Sequence, residues 1–447
     1  MAAARRVARS VGVHVVDLSS GSTVYGHQAE DLQVIASNTK LFTTATALET
    51  LGPGYFFETR LLRRGPVASG ILEGDLAVVG GGDPNISGRH WDGDPLAVFR
   101  RWAAELRAQG IHRITGDLYL AHGWFDPPQV HPDWPRDQLT RWYEAPVEAL
   151  SFNDNCVLVR VLPGEAPGRP AVVEVIPSLP IFRVDNRART TSAARGHHVA
   201  ISRAPGSNVL RVSGSVYRQA NPVEAWVAVN DPVEYFGAAL KQGFAQEGVE
   251  VRGRPVQLRE LPVGVWHFGA VHRTDLLTTV EVINKRSQNF YAESVLKTLG
   301  AEVCSTGSWA AGLSVVQDFL AMVGIAPGSY EMADGSGMSR NNRFTPAQIT
   351  RLLHYMFWRP TGTEFLRSLP YSGEEGLRWE SRLADPPYRG NVFAKTGSLN
   401  SVSTLSGYAK GASGRLYAFS ILLNGSRSSW EAKRAQDRIL QALVDQG

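Results

Sequence analysis

The sequence predicts a mixed α/β (α+β) fold in which strands from both chain ends are surrounded by helices, with a β-rich block between the two ends. Three observations carry this. Hairpin patterns lie near both ends: Val13–Val16 and Thr23–Tyr25 around Ser19-Ser20-Gly21-Ser22, then Ser403–Ala409 and Leu416–Leu423 around a Gly-Ala-Ser-Gly turn. Apolar residues at helical spacing follow the first hairpin and precede and follow the second. The middle of the chain is cut into short strands by Pro and Gly, and 44 Gly with 25 Pro imply many turns. A chain of 447 residues is long enough for two or three domains, so an inserted block is affordable in length.

Taken in order, the segment after the first hairpin places Leu41, Phe42, Ala45, Leu48 and Leu51 on a helix, stopped by Gly52-Pro53-Gly54. Strands follow at Thr59–Leu62 and Asp75–Val79, the second running into Gly80-Gly81-Gly82-Asp83-Pro84. No Gly-Lys-Ser/Thr follows these glycines, so they read as a tight turn with close backbone approach, not a phosphate cradle. Leu96–Gln109 is an amphipathic helix and Arg113–Leu120 a strand. Trp124–Tyr143 is aromatic, proline-broken and long for a loop, which marks it as a candidate binding surface. Between Cys156 and about Val216 come short strands, among them Val157–Val161, Ala171–Ile176 and His198–Ile201. His197 and His198, adjacent on a strand, face opposite sides and share no metal. Asp231–Glu247 is a helix with Val233, Phe236, Ala239, Leu240 and Phe244 on one face. Further helices are expected over Thr274–Ile283, from Phe290, over Val315–Val323 and from Pro346, the last with Thr345 as N-cap. Val392–Gly397 is a strand, and Trp430–Val444 is a closing helix.

Several function classes fall away. Net charge is only +4 with no long basic run, so a nucleic-acid partner is not indicated. The two cysteines, Cys156 and Cys304, form no Cys-x-x-Cys and lie near no histidine pair; no metal site is expected, and two buried thiols are. No apolar stretch approaches membrane-spanning length. Arg5, Arg6 and Arg9 precede an apolar run too short and too polar for the core of a signal peptide.

The chemistry begins at Ala36-Ser37-Asn38-Thr39-Lys40. Ser37 and Lys40 are three apart, on one face of a helix, and a neutral lysine beside a serine hydroxyl is a base for a nucleophile. Ser-x-x-Lys alone says little, since a chain of this length holds about one by chance, and a second occurs at Ser294 and Lys297. The lone Lys395-Thr396-Gly397 lies within a strand, where the glycine admits another backbone. Ser287-Gln288-Asn289 interrupts two amphipathic helices, so its hydroxyl is presented and not packed. Ser-x-x-Lys, Ser-x-Asn and Lys-Thr-Gly in that order form the acyl-serine transferase set. The order selects Ser37; Ser294 lies on the same helix as the second motif and reads as an exposed helical pair with Lys297.

With these residues in view, the chain resembles the low-molecular-mass class C penicillin-binding proteins, the D-alanyl-D-alanine carboxypeptidase/endopeptidase family. The resemblance runs nearly end to end, through Ser37–Lys40, Gly80–Pro84, Ser287-Gln288-Asn289-Phe290-Tyr291-Ala292-Glu293, Asp334-Gly335-Ser336-Gly337 and Ala394–Leu399. It implies a transpeptidase-like, β-lactamase-like domain, an antiparallel sheet flanked by helices, split over 1–60 and 262–447. The insertion at 61–261 holds a nested β-rich domain at about 156–216. It further implies that Ser37 attacks the penultimate D-alanine carbonyl, with Lys40 as base, its amine kept neutral by burial and by the charge of Lys395. Ser287 relays a proton to the leaving amine and Asn289 orients Lys40 or the substrate amide. Lys395 and Thr396 bind the terminal carboxylate, Gly397 belongs to the same motif, and the N–H groups of Ser37 and Ser398 form the oxyanion hole. Trp134, Asp137 and Arg340 are placed against the stem peptide, where Asp137 suits an amine and Arg340 a carboxylate, as at a diaminopimelate end.

The partners so implied are peptidoglycan stem peptides and β-lactam antibiotics as covalent inhibitors, with no cofactor. An extracytoplasmic or periplasmic location is expected from that substrate. Two alternatives share the motif set: a serine β-lactamase-like hydrolase and an inactive peptidoglycan-binding protein. The Glu-x-x-Leu-Asn segment of class A β-lactamases is absent, and Ser287 stands where class C enzymes carry tyrosine.

Overall fold

In the computed structural model, which describes residues 2–447, the chain divides into two compact units. The first comprises the residues up to Phe56 together with Asp275–Gly447; the second is Phe57–Thr274.

The first unit is built on a five-stranded antiparallel sheet. Its strands are β1 (Ser10–Asp17), β2 (Thr23–His27), β3 (Val392–Leu399), β4 (Val402–Lys410) and β5 (Leu416–Asn424), in the spatial order β2-β1-β5-β4-β3. Both chain ends thus enter one sheet, with Val13 opposite Ile421 and Lys395 opposite Ser406. The three central strands are buried along almost their whole length, whereas β2, at the edge, is largely exposed. Strands buried on both faces need cover on both. One layer is α1 (Ala2–Val7) with the closing helix α8 (Ser429–Gln446), whose Ala432, Leu440 and Val444 pack with Val11, Val13, Leu405, Phe419 and Ile421. Other helices are α2 (Thr39–Thr50), α3 (Leu276–Arg286), α4 (Asn289–Cys304), α5 (Trp309–Val323), α6 (Pro346–Phe357) and α7 (Gly362–Ser368). Thr345 caps α6 in a capping box with Gln348, as its sequence foretells.

α2 is the central helix, and every residue from Thr39 to Leu48 is buried. Its threonines would strand hydroxyls in the interior, but Thr44 donates to the Lys40 carbonyl, Thr46 to Phe42 and Thr43 to Gly335. The apolar spacing predicts one buried stripe; the surrounding helices bury the whole cylinder instead.

The second unit carries another five-stranded sheet, ordered 255–258, 118–121, 75–79, 56–64 and 267–275. Helices Ala97–Ala108 and Pro232–Gln246 pack on it through Phe99, Trp102, Phe236, Leu240 and Phe244. Pairing of His267–Asp275 into this sheet is what carries the unit as far as Thr274. Two smaller sheets, built on Cys156–Leu162 and Val209–Tyr217, share a separate core of Val157, Val159, Val161, Leu210, Val212 and Val216.

Several sequence expectations are corrected. Arg113–Leu120 is two strands, Arg113–Ile114 and Leu118–Ala121, in different sheets. Gly116 breaks them, where a Cβ would lie 2.4 Å from the Gly74 carbonyl oxygen. Thr274 is strand, not helix: α3 starts at Leu276 because Asp275 caps it by accepting the Thr278 N–H. α5 starts at Trp309, well before Val315, capped by Ser308. Only His198 of the histidine pair lies in a strand. Cys156 is buried, but Cys304, at the end of α4, is exposed; both thiols are free. The Gly80–Gly82 turn does bring backbones close, with Gly81 so near the Glu58 carbonyl that a Cβ would fall 2.2 Å from its oxygen. Among the described residues no helix is long and apolar enough to cross a membrane, and no cluster of His, Cys, Asp or Glu is placed to hold a metal.

Candidate active site

Ser37 lies in a short 3-10 turn, Ala36–Asn38, that runs directly into α2. Ala36, in the left-handed region at φ 47°, turns the chain into the helix. The turn is tied both to the Lys-Thr-Gly strand β3 and to its neighbour β4. Asn38 Nδ2 donates to the Lys395 carbonyl at 2.7 Å, and Thr404 on β4 donates its hydroxyl to the Ile35 carbonyl at 2.9 Å. Gly397 permits the approach: a Cβ there would sit 2.2 Å from Thr404 Oγ1, 2.8 Å from the Ile35 carbonyl oxygen and 3.0 Å from the Ser37 nitrogen.

One turn along α2, Lys40 is wholly buried. Its Nζ donates to the Ser336 carbonyl at 2.6 Å and to Asn289 Oδ1 at 2.7 Å, and lies 3.1 Å from Ser37 Oγ. Burial pulls the amine down to about 7, against the Glu293 and Asp334 carboxylates, which pull it up. A neutral amine has two N–H bonds and one lone pair. With the two N–H bonds spent on Ser336 and Asn289, the lone pair is left for the Ser37 hydroxyl. Ser37 is partly exposed, whereas Lys40 is sealed from solvent.

Ser287 occupies the break between α3 and α4, in left-handed conformation at φ 58°. Its Oγ accepts a hydrogen bond from Lys395 Nζ at 2.8 Å. Lys395 is 1% exposed, and burial, then the charges of Lys40 and Arg378, hold its amine well below the ordinary lysine range. Desolvation is the largest cause at both lysines, and the repulsion between the two amines is mutual, so a proton on one disfavours a proton on the other. Thr396 is half-buried and Ser398 exposed, further along the same strand. Arg340, also exposed, donates to the Asn400 carbonyl at 3.0 Å, beside the end of that strand. Ser37, Lys40, Ser287, Asn289, Lys395 and Arg340 thus all belong to the first unit.

Trp134 and Asp137 belong to the second unit, in the aromatic loop. Asp137 is exposed; Trp134 is 2% exposed, its ring 6.1 Å from that of His131. The second Ser-x-x-Lys is not the exposed pair that its sequence suggests. α4 packs among α2, α3 and α5, so Ser294 and Lys297 are both buried; Ser294 donates back to the Phe290 carbonyl, and the Lys297 amine lies over the Trp309 ring. Sequence reasoning named two residues near Lys40 within its motifs but gave them no role: Asn38, which clamps the Ser37 turn, and Glu293, which grips the Gly335–Ser336 backbone. Besides its place in the motif, Glu293 lies four residues after Asn289, on the same helical face.

Known proteins resemble this chain over nearly its whole length. The D-alanyl-D-alanine carboxypeptidase of Actinomadura sp. (strain R39) is 34% identical over 97% of this chain and 81% of its own length. The crystal structure of penicillin-binding protein 4 (dacB) from Haemophilus influenzae, 25% identical, superposes with a TM-score of 0.85 over 98% of both chains. A further structure of that protein, complexed with a β-lactam, is 24% identical with a TM-score of 0.80 over 99% of each chain. Residues 2–446 match a single family, and the chain belongs to it: the D-Ala-D-Ala carboxypeptidase 3 (S13) family.

Proposed function

We propose that this chain is a penicillin-binding serine D-Ala-D-Ala carboxypeptidase/endopeptidase acting on peptidoglycan stem peptides and crosslinks, with Ser37 as nucleophile and Lys40 as base. The observation that carries the assignment is the buried Lys40 amine, drawn to about 7 and 3.1 Å from Ser37 Oγ. Ser37 Oγ attacks the carbonyl carbon of the penultimate D-alanine as its proton passes to Lys40. The tetrahedral oxyanion takes hydrogen bonds from the N–H groups of Ser37 and Ser398, which Gly397 allows to lie close. The C–N bond then breaks. The departing amine takes the proton from Lys40 by way of Ser287, and an acyl-serine remains. Water adds to that ester as Lys40 accepts its proton; the bond to Ser37 Oγ then breaks, Lys40 returns the proton to that oxygen, and the acid is released. Lys395 with Thr396 receives the terminal carboxylate, whose negative charge favours the lysine as ammonium.

A β-lactam carbonyl takes the place of the peptide bond in the same first step, so such antibiotics acylate Ser37. Asp137, in the loop that Trp134 shapes, suits a cation such as the free amine of a diaminopimelate residue, and Arg340, in the first unit, suits a carboxylate. This is supported by Glu144 in the same loop. It is fully buried, neither carboxylate oxygen has a hydrogen-bond partner among the described residues, and burial and the charge of Asp137 push it up to about 7. A buried acid whose proton affinity is raised beside a second carboxylate favours an incoming cation. A stem-peptide substrate places the protein outside the cytoplasm.

Fluorescent penicillin should label the wild type covalently and fail to label Ser37→Ala, and crosslinked muropeptides should lose terminal D-alanine or be split, as read by mass. Labelling that survives Ser37→Ala would reject the nucleophile. Deacylation as fast as acylation would move the assignment to a β-lactamase.

A further inference from the structure

Glu293 stands one helical turn after Asn289 on α4 and is wholly buried. Its Oε1 accepts the Ser336 N–H at 2.7 Å, while Oε2 accepts the Gly335 N–H at 3.0 Å and the Trp309 Nε1–H at 2.8 Å. One carboxylate therefore grips two successive backbone amides. The carbonyls of the same two residues face α2: Gly335 accepts the Thr43 hydroxyl at 2.8 Å, and Ser336 accepts Lys40 Nζ at 2.6 Å. Thr43 and Lys40 are three apart, on one face of α2.

The loop has little freedom elsewhere. Asp334 accepts the N–H groups of Gly337 and Ser339 and the side-chain amide of Asn342. Gly337, at φ 83°, lies so close to the nucleophile turn that a Cβ would fall 1.9 Å from the Ala36 carbonyl oxygen. The Ser336 carbonyl shares its peptide plane with the Gly337 N–H, which Asp334 holds; the plane before it, carrying the Gly335 carbonyl and the Ser336 N–H, is held by Glu293, so the two acids together fix the chain on either side of Ser336.

We infer that Glu293 is a positioning residue for the acylation step: by holding the Gly335 and Ser336 N–H groups it fixes the peptide plane that leads into Ser336, so that the Ser336 carbonyl, its own plane held by Asp334, meets Lys40 Nζ and keeps that amine beside Ser37. The inference rests on Lys40 being the base proposed above. The charged groups around the carboxylate are Lys40 from α2, Asp334 from the loop and Lys297 from its own helix, with Lys395 of β3 acting on the far side of Lys40. Burial and the charge of Asp334 push Glu293 itself up to about 7 against its N–H donors, and where it is ionised it favours the protonated form of Lys40. Removing its charge therefore leaves the amine neutral at lower pH.

The test is the second-order rate of acylation by fluorescent penicillin across pH, in the full chain. Glu293→Gln keeps the shape but turns an NH2 group toward N–H donors. We expect a fall of about 10-fold or more at the optimum, and an acid limb moved down by about one pH unit, the scale of losing a nearby opposite charge. Trp309→Phe removes one donor and leaves both loop amides held; the acid limb should move the same way, by less. A wild-type rate and profile for Glu293→Gln overturns the inference. So does a loss that matches the unfolded fraction with the acid limb unmoved. If Glu293→Gln does not fold, an unmoved acid limb in Trp309→Phe overturns it. Ser37→Ala, run in parallel, separates the two levels: labelling that persists there sinks the base assignment itself, whereas Ser37-dependent labelling leaves only the role of Glu293 in question.

Discussion

Replacing Lys40 by methionine tests the site most directly, because the side chain keeps its length and loses only the amine. An ordinary lysine amine near 10.5 is neutral in about one molecule in 3,000 at pH 7; at about 7, half the molecules carry the free base. Burial thus supplies roughly three orders of magnitude in the population of competent base. Acylation by a chromogenic β-lactam should rise tenfold per pH unit up to about 7 and flatten above it. In Lys40→Met the rate should fall by about 10²–10⁴, and the acid limb near 7 should vanish. Stability follows from the same shift. Folding lowers the proton affinity of Lys40, so the folded state holds fewer protons between about 7 and 10.5, and stability rises with pH through that window. The penalty is full below about 7, amounts to about 4 kcal/mol at pH 7 and is relieved by about 10.5. Methionine removes it, but also removes the donor to the Ser336 carbonyl and Asn289 Oδ1, at about 1–3 kcal/mol for each buried acceptor. The net change at pH 7 should be small. The decisive quantity is the difference in unfolding free energy between variant and wild type measured against pH, which should drift steadily from 7 to 10.5. A flat difference, together with an acylation profile whose acid limb persists in Lys40→Met, would refute the assignment of Lys40 as a base lowered by burial.

Two other variants address the rest of the site. Asp137→Ala should lower kcat/KM for stem peptides bearing a free diaminopimelate amine by about 10- to 100-fold, the scale of one charge-assisted hydrogen bond; peptides lacking that amine serve as the control, and equal losses on both would remove the subsite. Gly397→Ala forces a Cβ against Thr404 Oγ1 and the Ile35 carbonyl. It should cost about 1–3 kcal/mol in thermal unfolding and slow penicillin labelling beyond what the unfolded fraction explains; wild-type labelling would mean that the strand does not need this approach.

Much of the molecule was legible from local rules. The hairpins at the two ends, the capping box at Thr345 and the helix stop after Leu51 depend on turn chemistry and near neighbours, and each stands where its residues put it. The misjudged elements are those whose limits are set by distant partners. Arg113–Leu120 looks continuous, yet Gly116 must fit against Gly74, and the strand divides there. The Ser294–Lys297 face looks exposed because its residues are polar, yet three helices cover it.

By itself the sequence determined which chemical groups the site would contain and their order along the chain. Ser37 and Lys40 meet because a helix places residues three apart on one face, a consequence of helical pitch alone. The tertiary structure decided what those groups can do. Whether a lysine is a base depends on its removal from water and on the acceptors that take its N–H bonds. For Lys40 these come from Asn289 on another helix and from a loop 296 residues further along the chain. Desolvation and hydrogen-bond direction are properties of packing, so the motif could name the lysine proposed as base while only the fold could lower its amine.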